Sequence, residues 1–182
     1  PVSLLGLGCM RLPVKEPGSE AIDYDRAAEM VDTALKNGIN YFDTAYGYHD
    51  KGSELFLGET MRQYDRSSFH LATKLPSWYI KNEEDNERLF DEQLHKLKTD
   101  YFDFYLLHSV QQSTWEIFDR NRSYDFVRKM REEGTIRHLG FSFHGDLPLL
   151  SHLLDHYEWE FVQLQINYYD WYNGSSLFYA LA

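Results

Sequence analysis

Apolar positions recur along the chain in two periods, and the two alternate. Ser3-Leu4-Leu5-Gly6-Leu7-Gly8 is a short apolar strand running into Cys9-Met10-Arg11. After a loop over 15–19, punctuated by Pro13 and Pro17, Asp23 reads as an N-cap. Ala27, Met30, Val31, Ala34 and Leu35 then recur at helical spacing, and Gly38 closes that helix. Ile39 to Phe42 is the next strand, and Ser53-Glu54 opens a helix carrying Leu55, Phe56 and Met61. Phe69 to Thr73 is a strand ending on Lys74, and Asn82 caps a charged helix whose apolar face is Leu89, Phe90, Leu94 and Leu97. Tyr101 to Leu107 is a fourth strand ending on His108, followed by a polar, aromatic loop and a helix from about Tyr124 to Glu133. Ile136 to Phe141 ends on Ser142, Asp146 caps a helix with Pro148 in its first turn and Leu150, Leu153 and Leu154 inside, and Phe161 to Asn167 is a sixth strand.

Strand starts near 3, 39, 69, 101, 136 and 161, each pair separated by a helix, make one βαβ unit repeated. Repeated βα units form a parallel sheet, either doubly wound or closed into a barrel. The barrel is the better fit, because each strand is followed by one helix and no dinucleotide fingerprint marks a switch point. Gly6-x-Gly8 starts such a fingerprint, but Arg11 stands where its third glycine belongs. The fold class expected is α/β, a (β/α)₈ barrel of which about six βα units lie in residues 1–182, with a seventh helix starting near Ser175. A full barrel takes about 250 residues, so this single domain is expected to stop early, at its C-terminus.

Composition narrows the class. The 182 residues are 43% hydrophobic and 16% aromatic, as a folded chain should be. A net charge of −11 disfavours nucleic acid or an anionic membrane as the main partner. Cys9 is the sole cysteine, so these residues form neither an internal disulfide nor a cysteine-ligated cluster. With no run of 18 apolar residues and no leader pattern, the expected location is the cytoplasm.

The chemistry gathers where strands end. In a barrel of parallel strands catalytic groups collect at the C-terminal ends, and here four successive strands end in Asp43, Lys74, His108 and Ser142. Tyr48 lies five residues beyond Asp43. Together they suit proton donation to a carbonyl. A phenol is a poor acid at neutral pH, an adjacent ammonium makes it a better one, and a buried ammonium needs a counter-ion. A histidine can orient the substrate oxygen or share the proton. Taken singly, Lys74 and Asp43 could equally be a surface ion pair, and His108 a core histidine. His152 and His156 stand i, i+4 on a helix, a zinc-compatible spacing that lacks a third ligand and reads as a solvated face. Cys9 has no basic neighbour in sequence to activate its thiol. The aromatic run Tyr168-Tyr169-Asp170-Trp171-Tyr172 could line a pocket or pack against further strands.

Asp43-Thr44-Ala45-x-x-Tyr48 with Ser53-Glu54 five residues later, then Lys74 at a strand end and Leu107-His108, resembles the aldo-keto reductases. The resemblance implies a nicotinamide-dependent oxidoreductase that reduces an aldehyde or ketone to an alcohol. Its catalytic tetrad would be Asp43, Tyr48, Lys74 and His108, with Tyr48 as proton donor and Tyr46 as the alternative register. Leu5-Gly6-Leu7-Gly8-Cys9-Met10 is similar to the family's first strand and cofactor turn, which implies contacts from Gly8, Cys9 and Met10. Leu139-Gly140-Phe141-Ser142 is similar to the strand whose Ser-Asn pair grips the carboxamide. Ser142 matches, while Phe143 stands at the Asn position. Gln163 matches the carboxamide-binding glutamine, with Gln165 as the alternative. The cofactor implied is NADP, or NAD, and the partner a small carbonyl compound. Strands seven and eight, which carry adenosine-phosphate contacts in that family, are not among the units counted. The wording around Tyr46 to Asp50 and Gly140 to Gly145 is closest to a prokaryotic branch that often continues into an iron–sulfur segment, so a cluster is implied only for a segment missing here. Two other readings stay open: a non-catalytic nicotinamide-binding regulatory or redox-sensing barrel, and an oxidoreductase linked to such a cluster.

Overall fold

The computed structural model describes residues 1–172 and residue 179. Six strands form one sheet in chain order, every neighbouring pair parallel. They are β1 (Leu7–Gly8), β2 (Tyr41–Asp43), β3 (His70–Leu75), β4 (Phe102–Val110), β5 (Ile136–Phe143) and β6 (Phe161–Leu164). Helices α1 (Tyr24–Lys36), α2 (Gly52–Thr60), α3 (Glu84–Leu97), α4 (Gln112–Arg120), α5 (Ser123–Glu132) and α6 (Leu147–His156) fill the crossovers. This is the α/β arrangement of a (β/α)₈ barrel, of which the described residues supply six strands.

The local signals explain most element ends. The Asp23 carboxylate accepts from the Arg26 N–H to start α1, and Gly38 follows the helix at φ +82°, a conformation that suits glycine. The Asp146 carboxylate accepts from the Leu149 N–H at the start of α6. Helix α3 begins at Glu84, one residue later than a cap at Asn82 would set, yet the Asn82 amide oxygen still accepts from the Asp85 N–H.

Three elements differ from the sequence reading. The segment read as a polar loop after β4 contains α4, started by a reciprocal pair of bonds between Gln111 and Thr114 and held by buried Trp115 and Phe118. Strand β1 covers only Leu7–Gly8, because Leu4 and Leu5 stand exposed at the sheet edge with no partner strand on their outer side among the described residues. Strand β6, the other edge, ends at Leu164 instead of Asn167. The helix expected near Ser175 lies outside the described residues.

The core lies between the sheet and its helices, with Phe42, Phe56, Phe102, Phe118 and Phe141 fully buried. Gly140 has a structural duty there. A Cβ at that position would lie 2.4 Å from the Phe161 carbonyl oxygen, so only glycine lets β6 pair this closely with β5. Among the described residues no helix is long and apolar enough to cross a membrane.

Candidate active site

The site stands at the C-terminal ends of the strands, where alternation along each strand turns selected side chains inward. On β3, Thr73 and Lys74 point to opposite faces. Lys74 is the inward residue and only 2% exposed. Its Nζ donates to the Asp43 Oδ1 at 2.6 Å, to the Thr44 carbonyl at 2.7 Å and to the Tyr48 hydroxyl oxygen at 3.4 Å. An ammonium has three N–H donors and no acceptor, so all three are engaged. Because the Tyr48 oxygen accepts from Lys74, its own hydroxyl proton is left to donate elsewhere.

His108, late in β4, completes the group. Its ring meets the Tyr48 ring edge-on at 5.9 Å and the Trp78 ring at 4.9 Å. Burial first, then the neighbouring Lys74 and His144, pushes His108 down to about 3. The imidazole is therefore neutral at pH 7, able to hold an oxygen by hydrogen bonding but a poor source of protons. Its Nδ1 is buried and has no hydrogen-bond partner among the described residues.

Tyr46 goes elsewhere. Its hydroxyl donates to both oxygens of Glu92, at 3.1 and 3.0 Å, on α3. Burial, then that carboxylate, raises Tyr46 to about 12, which removes it as an acid. The spacing that selects Tyr48 thus agrees with which tyrosine faces Lys74.

Asp43, Tyr48, Lys74 and His108 come together, and a cavity of about 230 Å³ opens beside them, bordered also by Met10, Ser142, Gln163 and Gln165. The Ser142 oxygen accepts from the Ser109 N–H at 2.7 Å, which leaves its O–H as a donor. Gln163 Nε2 donates to Asp43 Oδ2 at 3.4 Å, and Gln165 Nε2 donates to Asp170 at 3.1 Å. Gly8 pairs with Asp43 across the sheet, and a Cβ there would meet nothing within 4 Å. The Cys9 side chain is in the core, and burial, then Asp43, lifts its thiol to about 12. Cys9 as a whole is fully buried and does not border the cavity. Phe143 is buried against Phe141 and Tyr179.

His144 and Trp78 were not singled out from the sequence. His144 borders the cavity, and the Trp78 ring meets the His108 ring at a tilt of 53°. No short motif marks them, since neither lies on a strand: Trp78 sits in the 3₁₀ turn Ser77–Tyr79 and His144 just past β5. His152 and His156 stack on each other at 4.4 Å, and among the described residues no group of three or more His, Cys, Asp or Glu side chains could hold a metal. A larger cleft of about 320 Å³ lies at the opposite ends of the strands. Its Arg66 is taken up by Asp103 and by the Phe69 and Tyr101 carbonyls, so the chemistry belongs to the smaller cavity.

A sequence profile of the aldo/keto reductase family matches residues 4–178. The chain belongs to that family. It is 31% identical over 152 residues to the uncharacterised oxidoreductase YqkF of Bacillus subtilis, covering 78% of this chain and 45% of that protein. An aldo-keto reductase of Bacillus halodurans in its holo form superimposes with a TM-score of 0.70 at 27% identity, over 90% of this chain and 53% of the other. The aldo-keto reductase of Klebsiella pneumoniae in complex with NADPH gives 0.63 at 26% identity, over 85% and 50%. This aldo-keto reductase chain spans about half the length of the proteins it matches.

Proposed function

We propose that these residues form the catalytic half of a nicotinamide-dependent carbonyl reductase, using NADP in preference to NAD and acting on a small aldehyde or ketone. The observation that carries this reading is the Lys74 ammonium, engaged at once by Asp43, Thr44 and the Tyr48 oxygen. The residues suit the cofactor's reactive end. A side chain at Gly8 would meet only open space, the Ser142 hydroxyl and Gln163 amide border the cavity as a donor and an amide for a carboxamide, and the buried His108 Nδ1 has no hydrogen-bond partner among the described residues. When bound, the nicotinamide supplies a hydride to a carbonyl carbon.

This chain's residues do the rest. Tyr48 donates its proton to the carbonyl oxygen, as the acid within reach whose hydroxyl proton is uncommitted. Lys74 holds the Tyr48 oxygen by an N–H bond that strengthens as negative charge builds there. Asp43 compensates the buried ammonium and fixes its direction. His108, neutral, orients the carbonyl oxygen by hydrogen bonding.

In the intact protein, Tyr48→Phe should lower kcat by at least about 10²-fold, the scale of a positioned acid. NADPH affinity, read by fluorescence titration, should stay within about twofold, since the hydroxyl serves the substrate and not the cofactor. Tyr46→Phe should leave kcat nearly unchanged. With NADPH and 4-nitrobenzaldehyde as probes, a damaging Tyr46→Phe beside a mild Tyr48→Phe would sink the assignment. Cofactor binding without turnover of any carbonyl probe would favour a regulatory barrel.

A further inference from the structure

Lys74 is directed by its partners, and those partners are themselves held from one place. Ser53 and Glu54 sit in the first turn of α2, both with no solvent exposure. The Ser53 hydroxyl donates to the Cys9 carbonyl at 3.0 Å and, with its donor spent there, accepts from the Thr44 hydroxyl at 2.8 Å. The Ser53 N–H donates to the Tyr48 carbonyl at 3.1 Å. One residue thus ties down Thr44, whose carbonyl takes the ammonium, and Tyr48, whose hydroxyl does the same.

Glu54 works from the outer face of the sheet. Its Oε1 accepts from the Thr73 hydroxyl at 2.7 Å and from Gln93 Nε2 at 2.6 Å. Gln93 Nε2 in turn donates to the Lys74 carbonyl at 3.1 Å, and Tyr105 donates to Gln93 Oε1 at 2.6 Å. Thr73 and Lys74 are neighbours on one strand, so a clamp on the outward Thr73 and on the Lys74 peptide sets the root from which the ammonium projects inward. A fully buried carboxyl is costly, and burial drives its protonation equilibrium upward against Thr73, Gln93 and Lys96. Packing alone would be served by an apolar side chain. The hydrogen bonds that Glu54 makes end on the two residues whose positions fix Lys74.

We propose that Ser53 and Glu54 are positioning residues for Lys74, acting on its carbonyl acceptor from one side and on its own backbone from the other. The catalytic part of this inference rests on the role given to Lys74 above, and the placement part does not.

The test has two readouts. In lysine-¹⁵N-labelled protein, the Lys74 ammonium signal is identified by its loss in Lys74→Met. It should shift or broaden in Ser53→Ala and in Glu54→Ala, and be retained in Glu54→Gln, which keeps the acceptor oxygen. Glu92→Gln, which removes a neighbouring carboxylate but neither arm, should leave it in place. If Glu54→Ala does not fold, Thr73→Val removes the same bond to β3. With NADPH and 4-nitrobenzaldehyde, Ser53→Ala should lower kcat about tenfold or more with the KM for NADPH unchanged, the signature of a displaced group. Added to Lys74→Met it should cost nothing further in kcat. An unmoved Lys74 signal in folded Ser53→Ala and Glu54→Ala, or an undiminished Ser53→Ala loss in the Lys74→Met background, overturns the inference. Wild-type kcat in Lys74→Met instead overturns the catalytic reading, and the ammonium signal still judges the clamp.

Discussion

His108 is the residue whose environment most changes its chemistry. A histidine held near 3 in the fold and near 6.5 when unfolded binds fewer protons folded than unfolded between those values. Its contribution to stability is therefore present above about 6.5 and is lost as pH falls through that window, at up to about 1.4 kcal/mol per pH unit. Urea melts from pH 7 to pH 4 should show a steep acid limb in the wild type and a flatter one in His108→Asn. Equal slopes would mean that the imidazole is not held neutral by the fold. Tyr46 and Tyr48 make the complementary point. Two residues apart in a tight turn, they meet opposite surroundings, Glu92 on α3 and Lys74 on β3. Spacing distinguishes them, because the Asp43 and Ser53-Glu54 distances single out Tyr48, but the reason Tyr46 is a poor acid is a contact 46 residues away.

Helix α2 carries the clamp, and one glycine seats it. A Cβ at Gly58 would lie 2.0 Å from the Lys96 carbonyl oxygen, so α2 and α3 approach more closely than any side chain allows. Gly58→Ala should cost about 1–3 kcal/mol by overpacking, despite alanine's better helix propensity. That corresponds to a fall in Tm of roughly 5 °C for a chain of this size, measured by circular dichroism. Gly52→Ala, whose Cβ would meet Ile22 and His49 at ordinary distances of 3.7 and 3.8 Å, should be close to neutral and serves as the control. A harmless Gly58→Ala would show that α2 can slide on α3 freely. Helix α4 is nine residues with only Trp115 and Phe118 buried, too short a run to show its period among polar neighbours.

At the scale of the molecule, the sheet has two edges. Among the described residues, strands β1 and β6 each pair on one side, and exposed Leu4, Leu5, Ile166, Tyr168, Tyr169 and Tyr172 flank them. Unpaired edges beside apolar side chains are templates for association. The 182-residue chain on its own should therefore elute from size exclusion as a dimer or larger, shifting across a dilution series. A monomer that unfolds cooperatively would mean the six-stranded sheet is self-sufficient.

The order of elements is legible in the chain, because alternation of strand and helix periods is local and several ends carry their own cap or glycine. Which groups can meet is legible there too, since a parallel barrel gathers the C-terminal ends of its strands at one face. Asp43, Lys74, His108 and Ser142 could be gathered from that rule alone. How they meet depends on contacts between distant parts of the chain. That Lys74 spends all three donors, that His108 is held neutral, that the Cys9 thiol is in the core and that Glu54 reaches Lys74 through Gln93 are facts of contacts between residues 19 to 44 positions apart. Such contacts leave no period in the chain, because they depend on how closely helices settle on a sheet, and that distance is set by packing.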